Sequence, residues 1–406
     1  RAKWHRSDQT SFQVGRKARR LLWDVGANVD IPIAESLEWE QQGEGVYPYD
    51  RKTAFSLYTE LVEPLSQLLA DKRHVFIAAS DSLSSLPFGI LVTEAPTGRD
   101  GDPEALRGTQ WFADQHALIQ IPSIQSLAFL RERGSPIHAG ERLKFMGFGD
   151  PVLTGQADVR GKKGQIRGHD SSLTFSQLFR GNLSRSGTAL KDIEQLRTMA
   201  RLPGTARELR AMREALHAPQ QSIKLANNAT EQSFKSANLS NVDILALATH
   251  GLLAGEINGA AEPGLVFTPP AEPTELDDGL LTSSEVAGLE INADWVILSA
   301  CNTASGDGSS GAPGLSGLAR AFFFAGAKNL LASHWPVRDD VSAKLTVRTL
   351  EIAENRKNLS RAEAFQRAMS EIRNDRSADS DNDTWAHPNA WAPFTLIGDH
   401  GLVAID

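Results

Sequence analysis

The second half of the chain alternates short apolar runs with amphipathic segments, and this alternation constrains the fold more than any other feature. The apolar run "SIKLAN" precedes "TEQSFKSANL", "DILALATHG" precedes "LTSSEVAGLEI", "WVILSAC" precedes "GLSGLARAFFFAGA", and "KNLLASHW" precedes "VSAKLTVRTLEIAENR". The apolar runs are short and show little in-out alternation, which is typical of strands buried on both faces. The pattern predicts an α/β fold in which helices cover both faces of a mostly parallel sheet.

The preceding part of the chain carries a weaker form of this pattern. The apolar runs "HVFIAAS", "FGILV", "HALIQIPS" and "LKFMGFGDP" predict further strands, because turn-forming residues bound them. Residues 53–70 place apolar side chains at steps of three and four, which predicts an amphipathic helix bent at Pro64. In "GTARELRAMREALH", Thr205 lies three residues before Glu208, and this spacing predicts a helix with a capping box.

Changes in composition divide the chain into three parts. Residues 1–45 are mixed and charged, and we interpret them as a peripheral lead-in segment. We expect an amino-terminal half over residues 46–203 and a second half over residues 204–406. Residues 154–187 are rich in Gly, Ser, Arg and Lys, which predicts an exposed, flexible insertion. Because the chain begins with Arg1 rather than Met, we expect it to be part of a longer polypeptide.

The composition narrows the classes of function. The net charge of -8 gives no basic field, so we expect neither a nucleic acid nor a membrane surface as a partner. The apolar runs are far shorter than the roughly 20 residues of a membrane span. One cysteine in 406 residues excludes an intramolecular disulfide and a multi-cysteine zinc site, and it predicts a reducing, cytoplasmic location. The motifs of zinc peptidases, serine hydrolases and P-loop NTPases are absent, and we expect neither a metal nor a cofactor.

Two reactive side chains follow predicted strands. "DILALATHG" leads to His250 and Gly251, and "WVILSAC" leads to Cys301, the single thiol of the chain. The carboxyl ends of parallel strands share one edge of the sheet, so an imidazole and a thiol are expected to face each other there. An imidazole that takes the thiol proton generates the nucleophilic thiolate. The backbone N–H groups of Gly251 and Cys301 are candidates for an oxyanion hole.

For either residue alone, a structural role is a better explanation than catalysis. A lone Cys at a strand end is often an inert small apolar residue, and a lone His is often a hydrogen-bonded structural one. The pair favours chemistry, because His250 and Cys301 are 51 residues apart and the caspases show a separation of roughly 50. A second histidine, His334 in "ASHW", is interpreted as a solvated residue at the end of a strand. The alternative is an imidazole near the site that tunes the dyad.

Several segments in order resemble the CHAT family of caspase-like cysteine peptidases, which are relatives of separase. The segments are "SLSSLPFGIL", "IQIPSIQSL", "LPGTARELRAM", "ATHG", "VILSACNTASGDG", "GLARAFFFAGAKNLLASHWPVRDD" and "WAPFTLIGD", and together they cover roughly residues 50–400. The resemblance implies a caspase-like fold and a His250–Cys301 dyad that cleaves peptide bonds without a metal or cofactor. It also implies that the half over 46–203 is a degenerate, pseudo-peptidase-like layer and that the half over 204–406 is catalytic.

Asp339 is a candidate for substrate recognition. In "WPVRDD" it lies where the separase-like pattern places the acid that receives an arginine side chain, and a carboxylate recognises a guanidinium well. Alternatively, Asp339 and Asp340 stabilise the start of a helix near Val341, as acidic residues at a helix N-terminus do. The sequence leaves both interpretations open.

We therefore expect a cysteine endopeptidase that cleaves a protein through a thioester acyl-enzyme. We also expect a regulatory partner or upstream domain, such as helical repeats, because a free peptidase must be kept silent in a cell. The alternative is a catalytically silent scaffold of the same fold that binds a protein partner. The sequence identifies neither the substrate, the activating signal, self-processing nor the oligomeric state.

Overall fold

The computed structural model describes most of the chain. It describes residues 2–26, 48–79, 83–133, 143–155, 193–257, 260–274, 276–300, 317–335, 337–356, 358–379 and 384–399, excluding the side chains of residues 2–12, 129, 133, 339 and 340. The insertion predicted at 154–187 therefore lies outside the described residues beyond Gly155.

Eleven strands are present in the described part of the chain. They are β1 His74–Ile77, β2 Ala117–Gln120, β3 Phe145–Gly149, β4 Ile223–Leu225, β5 Ile244–Ala248, β6 Gly251–Leu252, β7 Gly264–Val266, β8 Leu280–Thr282, β9 Trp295–Leu298, β10 Asn329–Ser333 and β11 Phe394–Gly398.

The α-helices surround these strands. They are α1 Ala2–Asp24, α2 Arg51–Leu61, α3 Ser66–Leu69, α4 Pro103–Arg107, α5 Phe112–Gln115, α6 Ile124–Arg133, α7 Ile193–Arg197, α8 Pro203–Ala215, α9 Glu231–Lys235, α10 Ser283–Ala287, α11 Gly317–Phe324, α12 Asp339–Asn355, α13 Arg361–Asn374 and α14 Pro388–Trp391.

One eight-stranded sheet organises the molecule, in the order β1-β2-β11-β10-β9-β5-β3-β4. All neighbouring strands are parallel except β10 and β11. The five strands from β10 to β4 therefore run one way and β11, β2 and β1 run the other way. The carboxyl ends of β10, β9, β5, β3 and β4 meet at a single edge, which we call the carboxyl edge.

Alternate residues of the central strands enter two different cores. Ile244, Ala246 and Ala248 of β5 join the larger core, whereas Leu245 and Leu247 join the smaller one. Apolar residues of α1, α2, α8, α12 and α13 complete the larger core, and those of α9, α10 and α11 complete the smaller one. A strand buried on both faces needs apolar residues at every position, which explains the continuous runs in the sequence. The predicted α/β fold with a mostly parallel, doubly covered sheet is confirmed.

The parts predicted from composition share this sheet. Strand β3, from the segment 46–203, pairs with β4 and β5 of the segment 204–406, and β2 pairs with β11. The division into a degenerate and a catalytic half stays a prediction. Within the segment 1–45, the C-terminal part of α1 is not peripheral, because Ala18, Leu21 and Leu22 are buried in the larger core.

Local predictions in the first half were partly wrong. "FGILV" is not a strand, because Phe88–Ile90 forms a 3₁₀ turn after Pro87. The helix predicted over 53–70 is interrupted, since α2 ends at Leu61 and the 3₁₀ turn Glu63–Leu65, which contains Pro64, separates it from α3. Proline lacks the N–H that a continuous helix requires at this position.

The capping box predicted at the start of α8 is also wrong. The helix begins at Pro203 with Leu202 as the N-cap, because proline fits the first helical position. Thr205 is buried within the first turn, where its hydroxyl donates to the Leu202 carbonyl and accepts the Asp150 N–H at 2.9 Å. Glu208 faces the sheet instead of the helix start.

Candidate functional site

His250 lies at the carboxyl edge, two residues beyond the end of β5. The intervening Thr249 is buried and its hydroxyl donates to the Val266 carbonyl, which fixes the chain where it leaves the sheet. The imidazole of His250 is half-buried, and its Nε2 is 2.7 Å from the Ala200 carbonyl oxygen. A carbonyl only accepts hydrogen bonds, so this contact assigns the ring proton to Nε2. In the neutral ring Nδ1 is then the basic nitrogen.

The adjacent strand β9 leads to Cys301. Leu298 of β9 pairs with Leu247 of β5, and Ser299 extends the ladder by donating its N–H to the Leu247 carbonyl at 2.9 Å. Ala300 is buried, and its carbonyl accepts the hydroxyl of Ser333 from β10. Cys301 follows directly in the chain but lies outside the described residues. The structure thus brings the segments bearing His250 and Cys301 to neighbouring strand ends, as the sequence predicts, without describing the thiol itself.

The backbone of Gly251 has a defined direction. Gly251 pairs with Leu265 in the small antiparallel sheet β6-β7-β8, and the adjacent ladder bond runs from the Val266 N–H to the His250 carbonyl. Residue pairs in an antiparallel ladder alternate between hydrogen-bonded and non-hydrogen-bonded, so Gly251–Leu265 is a non-hydrogen-bonded pair. The Gly251 N–H is therefore directed away from β7, as a role in an oxyanion hole requires. That role stays a prediction.

Asp339 is the first residue of α12, with Arg338 as the N-cap. The helix thus begins two residues earlier than predicted. The chain leaves β10 at the carboxyl edge and reaches Asp339 six residues after the strand ends. The side chains of Asp339 and Asp340 lie outside the described part of the structure. Both the pocket and the helix-start interpretations remain predictions.

His334 at the end of β10 is not solvated, contrary to the prediction. The residue is 1% exposed, and its backbone N–H donates to the Pro393 carbonyl at 2.8 Å. Burial lowers the pKa of the His334 imidazole to about 3, because an apolar environment disfavours the charged ring. The residue is therefore neutral at physiological pH and contributes a buried, uncharged ring beneath the carboxyl edge.

Asp150 is a polar residue at the same edge that the sequence interpretation missed. It follows β3 directly, has a φ of 49° and is 8% exposed. Its carboxylate lies 3.6 Å from the guanidinium of Arg201, which follows Ala200 in the chain. Burial raises the pKa of the Asp150 carboxyl, and the nearby charges of Arg201 and Arg210 oppose this effect. The strand-end rule that selected His250 also applies to "FGDP" and would have found Asp150.

A buried polar network lies beneath the end of β9. The carboxylate of Glu208, from α8, is fully buried and accepts the Ser299 hydroxyl at 3.0 Å and the Thr346 hydroxyl at 3.2 Å. Ser342, which precedes Thr346 by one turn of α12, lies 3.3 Å from Ser299 between the two hydroxyl oxygens. The network joins α8, β9 and α12 two residues before Cys301. Buried hydroxyl and carboxyl groups that satisfy each other hold a segment in one position.

Among the described residues, no group of three or more His, Cys, Asp or Glu side chains is arranged to hold a metal ion. Over the same residues, no helix combines the length and the apolar character needed to cross a membrane.

Comparison with known proteins gives a family and several distant likenesses. Residues 51–399 match the CHAT domain family. A curated relative, Tetratricopeptide repeat protein 28 of Mus musculus, is 31% identical over 119 residues, which are 29% of this chain and 4% of that protein.

Two solved structures represent the structural likenesses. The Arg-specific cysteine proteinase gingipain R is 11% identical with a TM-score of 0.46, covering 90% of this chain and 70% of that chain. The Saccharomyces cerevisiae separase–securin complex is 14% identical with a TM-score of 0.41, covering 80% of this chain and 16% of that chain. At these values the likenesses assign no role to any residue.

The family match spans most of the chain, including the strand that leads to His250 and the strand that leads to Cys301. It confirms the membership that the ordered segments indicated. This chain belongs to the CHAT domain family.

Proposed function

We propose that this chain is a caspase-like cysteine endopeptidase that cleaves a protein substrate with a His250–Cys301 dyad. The observation that carries the proposal is the contact between His250 Nε2 and the Ala200 carbonyl, 2.7 Å long. This contact leaves Nδ1 as the base at a strand end, and the next strand continues into the one cysteine of the chain. A base oriented by a third group beside a nucleophile is the arrangement that covalent catalysis needs.

The proposed mechanism has two steps. His250 Nδ1 takes the proton of the Cys301 thiol, and the thiolate attacks the carbonyl carbon of the scissile peptide bond. The N–H groups of Gly251 and Cys301 stabilise the resulting oxyanion. The carbon–nitrogen bond then breaks, the imidazolium returns its proton to the leaving amine, and a thioester remains. A water molecule activated by His250 hydrolyses the thioester, which releases the acid product and restores the thiol.

The proposed preference before the cut is a basic residue, with Asp339 as its partner. The support is limited to position, since α12 begins at Asp339 directly after the carboxyl edge. A carboxylate there would pair with a guanidinium or ammonium group of the substrate. A pocket without this carboxylate would select another side chain.

We further propose that another protein or a helical-repeat domain regulates the peptidase. The partial likeness to a mouse protein named for its tetratricopeptide repeats supports the idea that this domain type occurs beside such repeats. A reducing, cytoplasmic environment is also part of the proposal, and the single cysteine supports it.

The test is a library of fluorogenic peptides that varies the residue before the cut, assayed with the wild type, Cys301→Ala and His250→Ala. Loss of either dyad residue is expected to lower kcat/KM by at least about 10³-fold. Asp339→Ala should weaken hydrolysis after Arg or Lys without affecting other peptides. Hydrolysis that survives in Cys301→Ala would contradict the dyad, and strong cleavage after Asp in the wild type would contradict the basic pocket.

The same variants distinguish the peptidase from a silent scaffold. A protein partner isolated with Cys301→Ala should be cleaved when the wild type replaces the variant. If the wild type binds the partner equally well and never cleaves it, the scaffold is the correct description.

A further inference from the structure

We infer that Gly155 is a positioning residue for His250, because it allows a backbone clasp that fixes the Ala200 carbonyl against the imidazole. The clasp consists of residues 154–155 and residues 197–200. The inference deepens the proposed function, since it takes His250 as the base, but the geometry of the clasp does not depend on what the enzyme cleaves.

The clasp is built from main-chain hydrogen bonds. The Thr154 N–H donates to the Arg197 carbonyl at 2.6 Å, and the Gly155 N–H donates to the Met199 carbonyl at 3.1 Å. Gly155 and Ala200 form an isolated parallel bridge. The carbonyl that His250 contacts therefore belongs to a residue whose backbone is held by the clasp.

Glycine is required at position 155 because the two segments approach closely. A Cβ atom at this position would lie 2.4 Å from the Thr198 carbonyl oxygen and 2.5 Å from the Met199 carbonyl oxygen. These are backbone atoms, so no side-chain rotation relieves the overlap. Any other residue at 155 must push residues 198–199 away, and Ala200 follows them directly in the chain.

The clasp is also anchored on its outer side. Leu153, Leu196 and Met199 pack in a small apolar cluster with side chains of the segment that carries β6, β7 and β8. The Arg197 guanidinium donates to the carbonyls of Pro270 and Ala271 at 2.5 and 2.7 Å. These contacts fix the position of residues 196–199 relative to the small sheet that continues from His250.

The clasp has a chemical consequence. When Ala200 O accepts from Nε2, the tautomer with a basic Nδ1 is favoured and the ring orientation is fixed. If the carbonyl moves, both tautomers become populated and the ring rotates more freely. A misplacement of about 1 Å in a catalytic group can cost about 10²-fold in rate. The loss should fall on kcat, because substrate contacts are not altered.

The experiment compares Gly155→Ala with the matched control Gly108→Ala. A Cβ at Gly108 would be 3.4 Å from its nearest neighbour, the Glu104 carbonyl oxygen, and so fits without displacement. Gly155→Ala is expected to lower kcat by about 10- to 100-fold with KM within about twofold of the wild type. Gly108→Ala should change neither constant. Wild-type kcat in folded Gly155→Ala would overturn the inference.

Two further readouts separate this inference from the peptidase proposal. The ¹⁵N shifts of the His250 ring, assigned by their loss in His250→Gln, report which nitrogen carries the proton. We expect Nε2–H in the wild type and a mixture in Gly155→Ala. Iodoacetamide alkylates only one cysteine in this chain, so its rate reports on Cys301 directly. If no peptide is cleaved but the tautomer shifts, the clasp stands and the peptidase proposal fails. An unchanged tautomer overturns the clasp.

A second variant covers the case in which Gly155→Ala does not fold. Arg197→Ala removes the anchor on the Pro270 and Ala271 carbonyls without introducing a steric overlap. It should shift the His250 tautomer in the same direction by a smaller amount. A wild-type ring spectrum in this variant would then count against the inference.

Discussion

The neighbouring strands β5 and β9 end at the same edge of the sheet but are held there by different means. His250, beyond β5, is oriented by a main-chain carbonyl, and the adjacent Arg201 side chain is 47% exposed. Ser299, beyond β9, is held by the buried carboxylate of Glu208, and Ala300 is held by the hydroxyl of Ser333. The first support is peripheral and made by the backbone, whereas the second is internal and made by side chains.

This difference determines how each end responds to mutation. Any residue at position 200 offers the same carbonyl, so the orientation of His250 changes only when the backbone moves. The support of β9 depends on particular side chains and is removed by single substitutions. The two supports are nonetheless linked through one stretch of chain, because Ala200 and Glu208 lie eight positions apart.

The largest expected loss of stability comes from Glu208→Ala, which removes the internal support of β9. The variant removes the carboxylate that accepts the Ser299 and Thr346 hydroxyls and leaves a cavity at a fully buried position, whereas Thr346 keeps the Ser342 carbonyl as an acceptor at 3.0 Å. The free energy of unfolding should therefore fall by about 3 kcal/mol. Urea unfolding measures the change. Glu214→Ala on the same helix is the control, and because its side chain is 69% exposed the change should stay within about 0.5 kcal/mol. Equal stabilities of the two variants would show that β9 is not held by this network.

A smaller change in the free energy of unfolding is expected from His334→Leu, and this change depends on pH. Burial holds the folded-state pKa of His334 at about 3, whereas the ordinary pKa of a histidine is 6.5, so between these values the unfolded chain binds a proton that the folded chain excludes. The neutral, buried His334 ring therefore costs the folded state no stability above pH 6.5. As the pH falls below this value, protonation of the unfolded chain lowers the free energy of unfolding. Relative to His334→Leu, the wild type should lose roughly 2 kcal/mol between pH 6 and pH 4.

Urea unfolding at several pH values measures this difference. The control is His217→Asn, because His217 is exposed with a φ of 49°, a conformation that Asn tolerates. Its curve should run parallel to that of the wild type. A parallel curve for His334→Leu would mean that the His334 ring is not buried in solution.

The smallest expected loss of stability comes from Thr205→Val, which concerns the start of α8 and the chain that follows β3. The change removes the hydroxyl that joins the Asp150 N–H to the Leu202 carbonyl, and it should cost about 1.5 kcal/mol of unfolding free energy. The control is Thr93→Val, whose hydroxyl makes only exposed hydrogen bonds, and the change there should be within about 0.5 kcal/mol. If Thr205→Val matched the control, β3 and α8 would not be joined through this hydroxyl.

The sequence predicted the features that depend on burial and on strand order. The continuous apolar runs follow from a sheet covered on both faces, and the position of His250 follows from the rule that parallel strands share a carboxyl edge. In each of these cases a short local pattern is sufficient.

Features that depend on contacts between distant residues were missed. Thr205 and Glu208 have the spacing of a capping box, but residues three apart also share one face of a helix, and here that face is buried. The solvated environment predicted for His334 was wrong, because the residue is buried and its backbone N–H donates to the carbonyl of Pro393, 59 positions away. The carbonyl of Ala200 has no sequence signal at all, since every residue carries one.

The place of β11 in the sheet sets an order for the assembly of the molecule. Although β11 follows the other described strands in sequence, it lies third in the sheet, between β2 and β10. During synthesis on the ribosome, β1 and β2 therefore emerge long before the strand that connects them to β10 exists. Through more than 270 residues of translation the nascent chain therefore lacks the strand that covers this edge of β2, and an unpaired strand edge is a site of aggregation.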